Sequence, residues 1–263
     1  MTIKKLILAG VIIIAGIFPL AAFGASRDAI AIRVMPNLNH LSPSRWYKEQ
    51  KFSGSPQSLS VDGYPAVRDG RTVYVNAANI SGANFYTNIY IISYNQAAEN
   101  QTVDIFSQIL AHWKFNTNPE INNDQKKKII RDVKRLADLN QMNLALSKKI
   151  NPPGLKSGSY MAGASVSKWP SWQATLGKEL GITMPLDPLN KLGSCPATYN
   201  KDTCWNQTDK SFYFNFNPDF AVDKSIAKFP VYWYKDGIFH AGLETDYTIW
   251  SDVPNISKAV AAP

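Results

Sequence analysis

Two cysteines, Cys195 and Cys204, are the side chains of this 263-residue chain with the greatest capacity for covalent chemistry. A pair of thiols can form a disulfide, hold a metal ion or supply a reactive thiolate, depending on compartment and neighbours. No histidine lies between or beside them, which argues against zinc. Outside the cytoplasm the default is a disulfide, and closing a loop of about 10 residues stabilises a fold by roughly 2 to 3 kcal/mol. The spacing therefore predicts a Cys195–Cys204 disulfide, provided that the chain is exported.

The amino-terminal segment predicts this export. Two lysines precede the apolar run "LILAGVIIIAGIF", Pro19 interrupts it, and small residues follow. This order is typical of a secretory signal, and we expect cleavage after Gly24 or Ala25. Residues 6–24 are also long enough for an uncleaved membrane anchor, so residues 1–24 are either a signal peptide or an anchor. In both cases we expect the body of the protein to be extracellular or in the cell envelope.

Composition and charge limit the possible partners. With 45% hydrophobic and 18% charged residues, the chain has the composition of a folded protein. Its formal net charge of +8 suits contact with anionic envelope polymers, although mild basicity without a function is the simpler alternative. No nucleic-acid recognition motif is present, so we expect no nucleic-acid partner. Membrane contact would come only through the amino-terminal segment, if it is uncleaved.

The remaining residues with chemical potential do not form a catalytic motif. The histidines, His40, His112 and His240, lack the spacing of metal ligands, and no Gly-x-Ser-x-Gly sequence supplies a hydrolase nucleophile. We expect structural roles for all three. Trp205 follows Cys204 in a polar loop and is the best candidate for an exposed ring that stacks on a sugar, with ordinary packing as the alternative.

The elements that must position these residues fall into two groups, which predicts an α+β fold. In the first, residues 25–120, we expect a strand at 29–34 and a short helix capped by Ser42. A loop at 53–64, a hairpin of two strands ("TVYVNAANI" and "NFYTNIYIISY") and an amphipathic helix then follow. The apolar face of this helix should cover the hairpin.

The second group, residues 121–254, begins with a long helix from about Asp124 to Lys149. Its apolar residues step by three or four, and Asp124 is the expected cap. Four basic residues lie largely off this stripe: Lys127, Arg131, Lys134 and Arg135. For the run Lys126-Lys127-Lys128 at the helix start we expect a solvated basic face, with an anionic partner as the alternative. A short helix, a proline-bounded loop and a small antiparallel sheet follow, and residues 255–263 form a tail.

Residues 126 to about 240 resemble the globular head of type IV pilins and, more closely, of the major pseudopilins of type II secretion. The resemblance rests on a pattern along the long helix and on the segment "MPLDPLNKLG" before strands with an Asp-Gly turn. The matching helix residues are Arg131-Asp132, Arg135, Asp138-Leu139, Met142 and Ala145-Leu146. The whole chain is also similar to uncharacterised exported proteins of candidate-phylum bacteria. Unlike a pilin, it has no prepilin-peptidase site, and a separate domain precedes the head helix.

The resemblance implies a long helix packed on a small antiparallel sheet and a non-enzymatic scaffold role. It also implies a calcium site in the loop before the hairpin, with Asp187 and Asn190 as candidate ligands; an Asp-Pro turn is the alternative. No other cofactor is expected. The leading hypothesis is an exported envelope or surface protein that acts through contacts with proteins or envelope polymers. A glycan-binding module and an envelope hydrolase with no visible site remain as alternatives.

Overall fold

The computed structural model describes residues 28–117, 120–149, 163–192, 195–213, 230–235 and 237–249. The predicted signal or anchor (1–24) and the tail (255–263) lie outside these ranges. The helices are α1 (Pro43–Glu49), α2 (Asn100–His112), α3 (Asn123–Leu146) and α4 (Lys178–Leu180), the last continuing from a π-helical turn, Trp172–Gly177. The strands are β1 (Ile30–Pro36), β2 (Gln57–Val61), β3 (Tyr64–Asp69), β4 (Thr72–Ser81), β5 (Asn84–Tyr94), β6 (Ala164–Val166), β7 (Trp205–Asn206), β8 (Ser211–Phe212), β9 (Tyr232–Lys235), β10 (Ile238–Ala241) and β11 (Thr248–Ile249). The predicted α+β class is confirmed. Among the described residues, no helix combines the length and apolar character needed to cross a bilayer.

The largest sheet has the strand order β1-β5-β4-β3-β2, and β11 pairs in parallel with the first residues of β5, on the same side as β1. The β4–β5 hairpin is confirmed, with pairs from Thr72↔Ser93 to Ser81↔Asn84. The expectation of a loop over 53–64 is wrong in part, because β2 forms there and pairs with β3. The two strands are joined at Asp62 (φ 51°) and Gly63 (φ 82°), the left-handed backbone that a two-residue hairpin turn requires.

Both helices of the amino-terminal half are confirmed. Ser42 caps α1, where its side chain accepts a hydrogen bond from the Arg45 N–H, and Pro43 occupies the first helical position. The predicted packing of α2 on the hairpin also occurs, since the rings of Phe106 and Tyr94 lie 5.0 Å apart between centroids.

The long helix α3 is a single element, but its cap differs from the prediction. The side chain of Asn122 accepts hydrogen bonds from the N–H groups of Asp124 and Gln125, and the Gln125 side chain accepts one from the Asn122 N–H. This reciprocal capping box corrects the assignment of Asp124 as the cap. The predicted apolar stripe is buried over the described residues, and the helix contacts β10, β4 and β3.

One hydrophobic cluster extends through both halves of the chain. It contains residues of β3, β4 and β5, the buried face of α3, and aromatic residues of β9 and β10. The division near residue 120 stays a prediction, but the two halves share this core.

The carboxy-terminal half contributes a three-stranded sheet, order β10-β9-β6, and the short pair β7–β8. The predicted pairing of the last two strands is confirmed as β9 and β10, from Ile238↔Lys235 to Ala241↔Tyr232. Gly181 ends α4 in the left-handed conformation (φ 71°), as expected for a helix terminator. The predicted strand from Ser211 is described only over β8.

Candidate functional site

Arg135 is the centre of a buried ionic network. Its side chain is 0% exposed, which corrects the expectation that it lies largely off the buried stripe. Nε and Nη2 donate to the two carboxylate oxygens of Asp187 at 2.6 and 3.0 Å. Nη1 donates to Asp132, at 2.8 Å, and to Glu244, at 2.7 Å. A guanidinium tolerates this burial because carboxylates in good geometry replace its lost hydration.

The same network binds the loop after β10 to α3. Arg131 donates to both oxygens of Glu244, at 2.5 and 2.7 Å. Asp132 accepts the N–H groups of Glu244 and Thr245 and the Thr245 hydroxyl, at 2.7 to 3.1 Å. Burial alone would raise the pKa of Glu244, but hydrogen bonds from Arg131 and Arg135 hold it below its ordinary value. Burial raises the pKa of Asp132 despite its many donors.

A second set of hydrogen bonds joins α3 to β9. The Tyr232 hydroxyl donates to Asp138 at 2.7 Å, and Lys134 donates to the same carboxylate oxygen at 2.5 Å. Burial raises the pKa of Asp138 and that of Tyr232 above their ordinary values. Charged residues of the pilin-like pattern on α3 thus hold the fold together, which is a structural role.

The residues at the proposed calcium site do not fit a calcium ion as they are arranged. Asp187 is only 3% exposed, and besides Arg135 it accepts the N–H groups of Leu189 and Asn190. The Asn190 side-chain oxygen accepts the hydroxyl of Ser167 at 2.7 Å. Calcium requires six to eight oxygen ligands, whereas here a guanidinium already neutralises the one carboxylate. Within the described ranges, no group of three or more His, Cys, Asp or Glu residues could hold a metal. The arrangement is that of the alternative, an Asp-Pro turn.

Cys195 and Cys204 are paired as a disulfide, with their Cα atoms 5.7 Å apart. Trp205 beside it is 3% exposed, and its ring lies 5.8 Å from that of Trp169 between centroids. Its indole N–H donates to Gln207 at 2.9 Å. Trp205 is therefore packed, which was the alternative to a stacking ring, and neither face of the indole is available to a sugar.

His40 and His240 have structural surroundings. The Thr87 hydroxyl donates its one proton to the Asn37 carbonyl at 2.7 Å, so His40 Nδ1 must donate to Thr87, at 2.9 Å. His40 Nε2 therefore carries a lone pair, buried without a partner among the described residues. Desolvation lowers the pKa of His40 to about 4 and that of His240, whose ring stacks on Trp233 at 5.1 Å, also to about 4. His112 lies on the exposed side of α2, where its Nδ1 contacts the Gln108 carbonyl.

A scan of the chain against protein-family models found no match, and searches of curated proteins and of solved structures also found none. The resemblance to pilin heads therefore rests on the sequence pattern and stays a prediction.

The most distinctive exposed apolar feature is the edge strand β1. Its one strand neighbour is β5, and its other edge has no strand partner in the part of the chain that the structure describes. Ile32 and Val34 lie on the same face of the strand and are 52% and 49% exposed. Arg33, on the opposite face, is also exposed. We call residues 30–36 with this free edge the β1 surface. Sequence reasoning recognised the strand from its alternation but could not show that nothing described covers it.

Proposed function

We propose that this is a non-enzymatic exported protein of the envelope or cell surface, which binds a protein partner through the β1 surface. The observation that carries the proposal is the free edge of β1, with two half-exposed β-branched side chains. Such an edge is a template for another extended chain, which gains backbone hydrogen bonds while its side chains cover the apolar ones. Natural proteins usually blunt an edge of this kind unless it has a use.

The partner that this surface suits is an extended protein segment with apolar residues at alternate positions. Ile32 and Val34 would contact such residues, and Arg33 on the opposite face would favour an acidic neighbour. The pilin-like module based on α3 would then be the scaffold that holds this strand, since α3 packs against β3 and β4 of the same sheet. Export is supported by the amino-terminal pattern and is compatible with the Cys195–Cys204 pair.

The test is capture of partners from an envelope extract by the full-length protein. We expect Ile32→Asp and Val34→Asp each to lower the amount of retained partner at least tenfold. Ile238→Asp is the matched control, because Ile238 is also an isoleucine on a strand and is 53% exposed. Hydrogen exchange of the isolated complex should show new protection of backbone amides in residues 30–36.

Equal retention by the β1 variants and the control would contradict the proposal. So would a complex in which the amides of β1 exchange as fast as in the free protein. If protease treatment of the extract left the retained material unchanged, the ligand would be an envelope polymer and not a protein. The glycan-binding alternative would then replace the proposed protein contact.

A further inference from the structure

A pocket of about 480 Å³ lies where the β3–β4 turn meets the end of β5. It is lined by residues 69–72 of the turn, by Tyr74, and by Tyr94 and Gln96. We call it the turn pocket. It is an open depression of the surface rather than an enclosed cavity, so a ligand bound there would be only partly covered. Tyr94 packs against Phe106 in the fold, whereas Arg71 and Gln96 have no role described so far.

The acidic group of the turn pocket is held in place by the fold. The Tyr47 hydroxyl donates to Asp69 Oδ2 at 2.5 Å, and the Gly54 N–H donates to the Tyr47 oxygen at 3.1 Å. The turn is fixed as well, since Arg68 Nε donates to the Gly70 carbonyl at 2.8 Å. A carboxylate held by its neighbours loses little entropy when a ligand binds, which is the general advantage of a preorganised site.

Two tyrosines line the pocket from opposite faces of the sheet, Tyr74 from the face that packs on α1 and Tyr94 from the face that packs on α2. Tyr74 belongs to a cluster with Trp46, Tyr47 and Phe52, with ring centroids 5.4 to 5.9 Å from its own. Phe52 is 45% exposed at the margin of this cluster. On the other side, Tyr94 is supported by Phe106. Tyr74 is buried, so of the two lining tyrosines only the partly buried Tyr94 offers an apolar ring beside polar groups, the combination on which the C–H face of a sugar packs.

The charges and hydrogen-bonding groups of the pocket define the ligand class. The carboxylate of Asp69 and the guanidinium of Arg71 balance one another, so neither a strongly anionic nor a strongly cationic ligand is favoured. Around them lie an acceptor (Asp69), a fork of donors (Arg71) and an amide that does both (Gln96). This set suits a ligand without net charge that carries several hydroxyl or amide groups.

We propose that the turn pocket binds a neutral saccharide, with Arg71 and Gln96 as its hydrogen-bonding groups and Tyr94 as a ring contact. This site differs from the stacking candidate that the sequence offered, Trp205, which is packed in the interior. The proposal does not depend on the β1 surface, and either could fail without the other.

The experiment is titration of the full-length protein with neutral oligosaccharides of hexoses and of N-acetylhexosamines, followed by calorimetry and by saturation-transfer NMR. We expect Arg71→Ala and Gln96→Ala each to raise the Kd at least tenfold for the sugar that binds. Both residues are exposed, so the far-ultraviolet circular dichroism and the Tm should stay at the wild-type values. Gln141→Ala and Lys178→Ala, exposed and far along the chain from the pocket residues, are the controls and should leave the Kd unchanged.

Failure of every neutral oligosaccharide to bind at millimolar concentration would overturn the proposal. Binding that is insensitive to both pocket variants would also overturn it, as would binding of acidic oligosaccharides alone. To separate this result from the proposed protein contact, Ile32→Asp is included in the sugar titration and Arg71→Ala in the partner capture. Each should behave as wild type in the other assay.

Discussion

Replacement of Arg135 by methionine should be among the most damaging single changes in this protein. Methionine keeps much of the side-chain length but removes four charge-assisted hydrogen bonds to three carboxylates. The three carboxylates differ in the hydrogen-bond donors that remain to them after this change. Glu244 keeps Arg131, and Asp132 keeps Thr245 and two backbone N–H groups.

Asp187 is the group left stranded, because it is 3% exposed and retains only the N–H groups of Leu189 and Asn190. One uncompensated buried charge costs about 3–5 kcal/mol, which is therefore the expected loss in the free energy of unfolding. A domain of ordinary stability, about 5–15 kcal/mol, would remain folded at 25 °C or lie near its limit.

The assay is equilibrium unfolding in urea at pH 7, followed by tryptophan fluorescence, with the disulfide intact. Arg45→Met is the matched control: Arg45 also pairs with a carboxylate, Glu49 at 2.8 Å, but both side chains are about 40% exposed (43% and 39%). An exposed pair of this spacing on a helix contributes about 0.3–0.5 kcal/mol. A second variant, Arg135→Met with Asp187→Asn, removes the stranded charge while it keeps an oxygen for the turn. It should be more stable than Arg135→Met alone.

The reasoning would be refuted if Arg135→Met cost less than about 1 kcal/mol, the level of a surface pair. It would also be refuted if the double variant were no more stable than the single one. In that case the charge at Asp187 would not be the source of the loss.

Two further predictions concern pH and helix capping. Burial lowers the pKa of His40 from 6.5 to about 4, so the folded state is penalised when this side chain takes up a proton. The free energy of unfolding is therefore unaffected by His40 above pH 6.5 and falls as the pH is lowered toward 4. At pH 5 the decrease is about 2 kcal/mol. Urea unfolding of His40→Asn should therefore show a flatter pH profile between 6.5 and 5 than wild type, whereas His112→Asn, changed at an exposed position, should not; parallel profiles for all three proteins would contradict this. Asn122→Ala should cost about 1 kcal/mol because it removes the cap of α3, while Asp124→Ala, at an exposed first-turn position, should cost less than half as much. If both variants lost the same stability in thermal unfolding, Asn122 would not be the dominant cap of α3.

Local signals were sufficient where an element has its own pattern. The β4–β5 hairpin follows from alternating apolar residues around Ser81-Gly82-Ala83, and α3 follows from an apolar stripe that continues over six turns. The strand β2 carries no such signal, since "QSLSV" is polar at most positions and becomes a strand through its pairing with β3. This pairing depends on the position of β3 in the fold, which the amino-acid propensities of residues 57–61 do not encode, and those propensities alone predicted a loop.

The ionic network was beyond sequence reasoning for a different reason. Helical spacing shows that Asp132 and Arg135 share a side of α3, but charged residues on a helix usually face water. The carboxylates that allow Arg135 to be buried lie 52 and 109 residues further along the chain, at Asp187 and Glu244. Whether Arg135 is buried or exposed therefore depends on how the segments that carry Asp187 and Glu244 pack against α3.

The bond between Arg131 and Glu244 spans 113 residues, and this distance has a consequence for the growing chain. A ribosome adds about 5–20 residues per second, so several seconds separate the synthesis of α3 from that of its last carboxylate partner. Throughout that interval Arg135 has no complete set of acceptors, and the helix cannot settle into its final position. The final packing of α3 is therefore completed only after the loop that follows β10 has been synthesised, although the strands β1–β5 are already present.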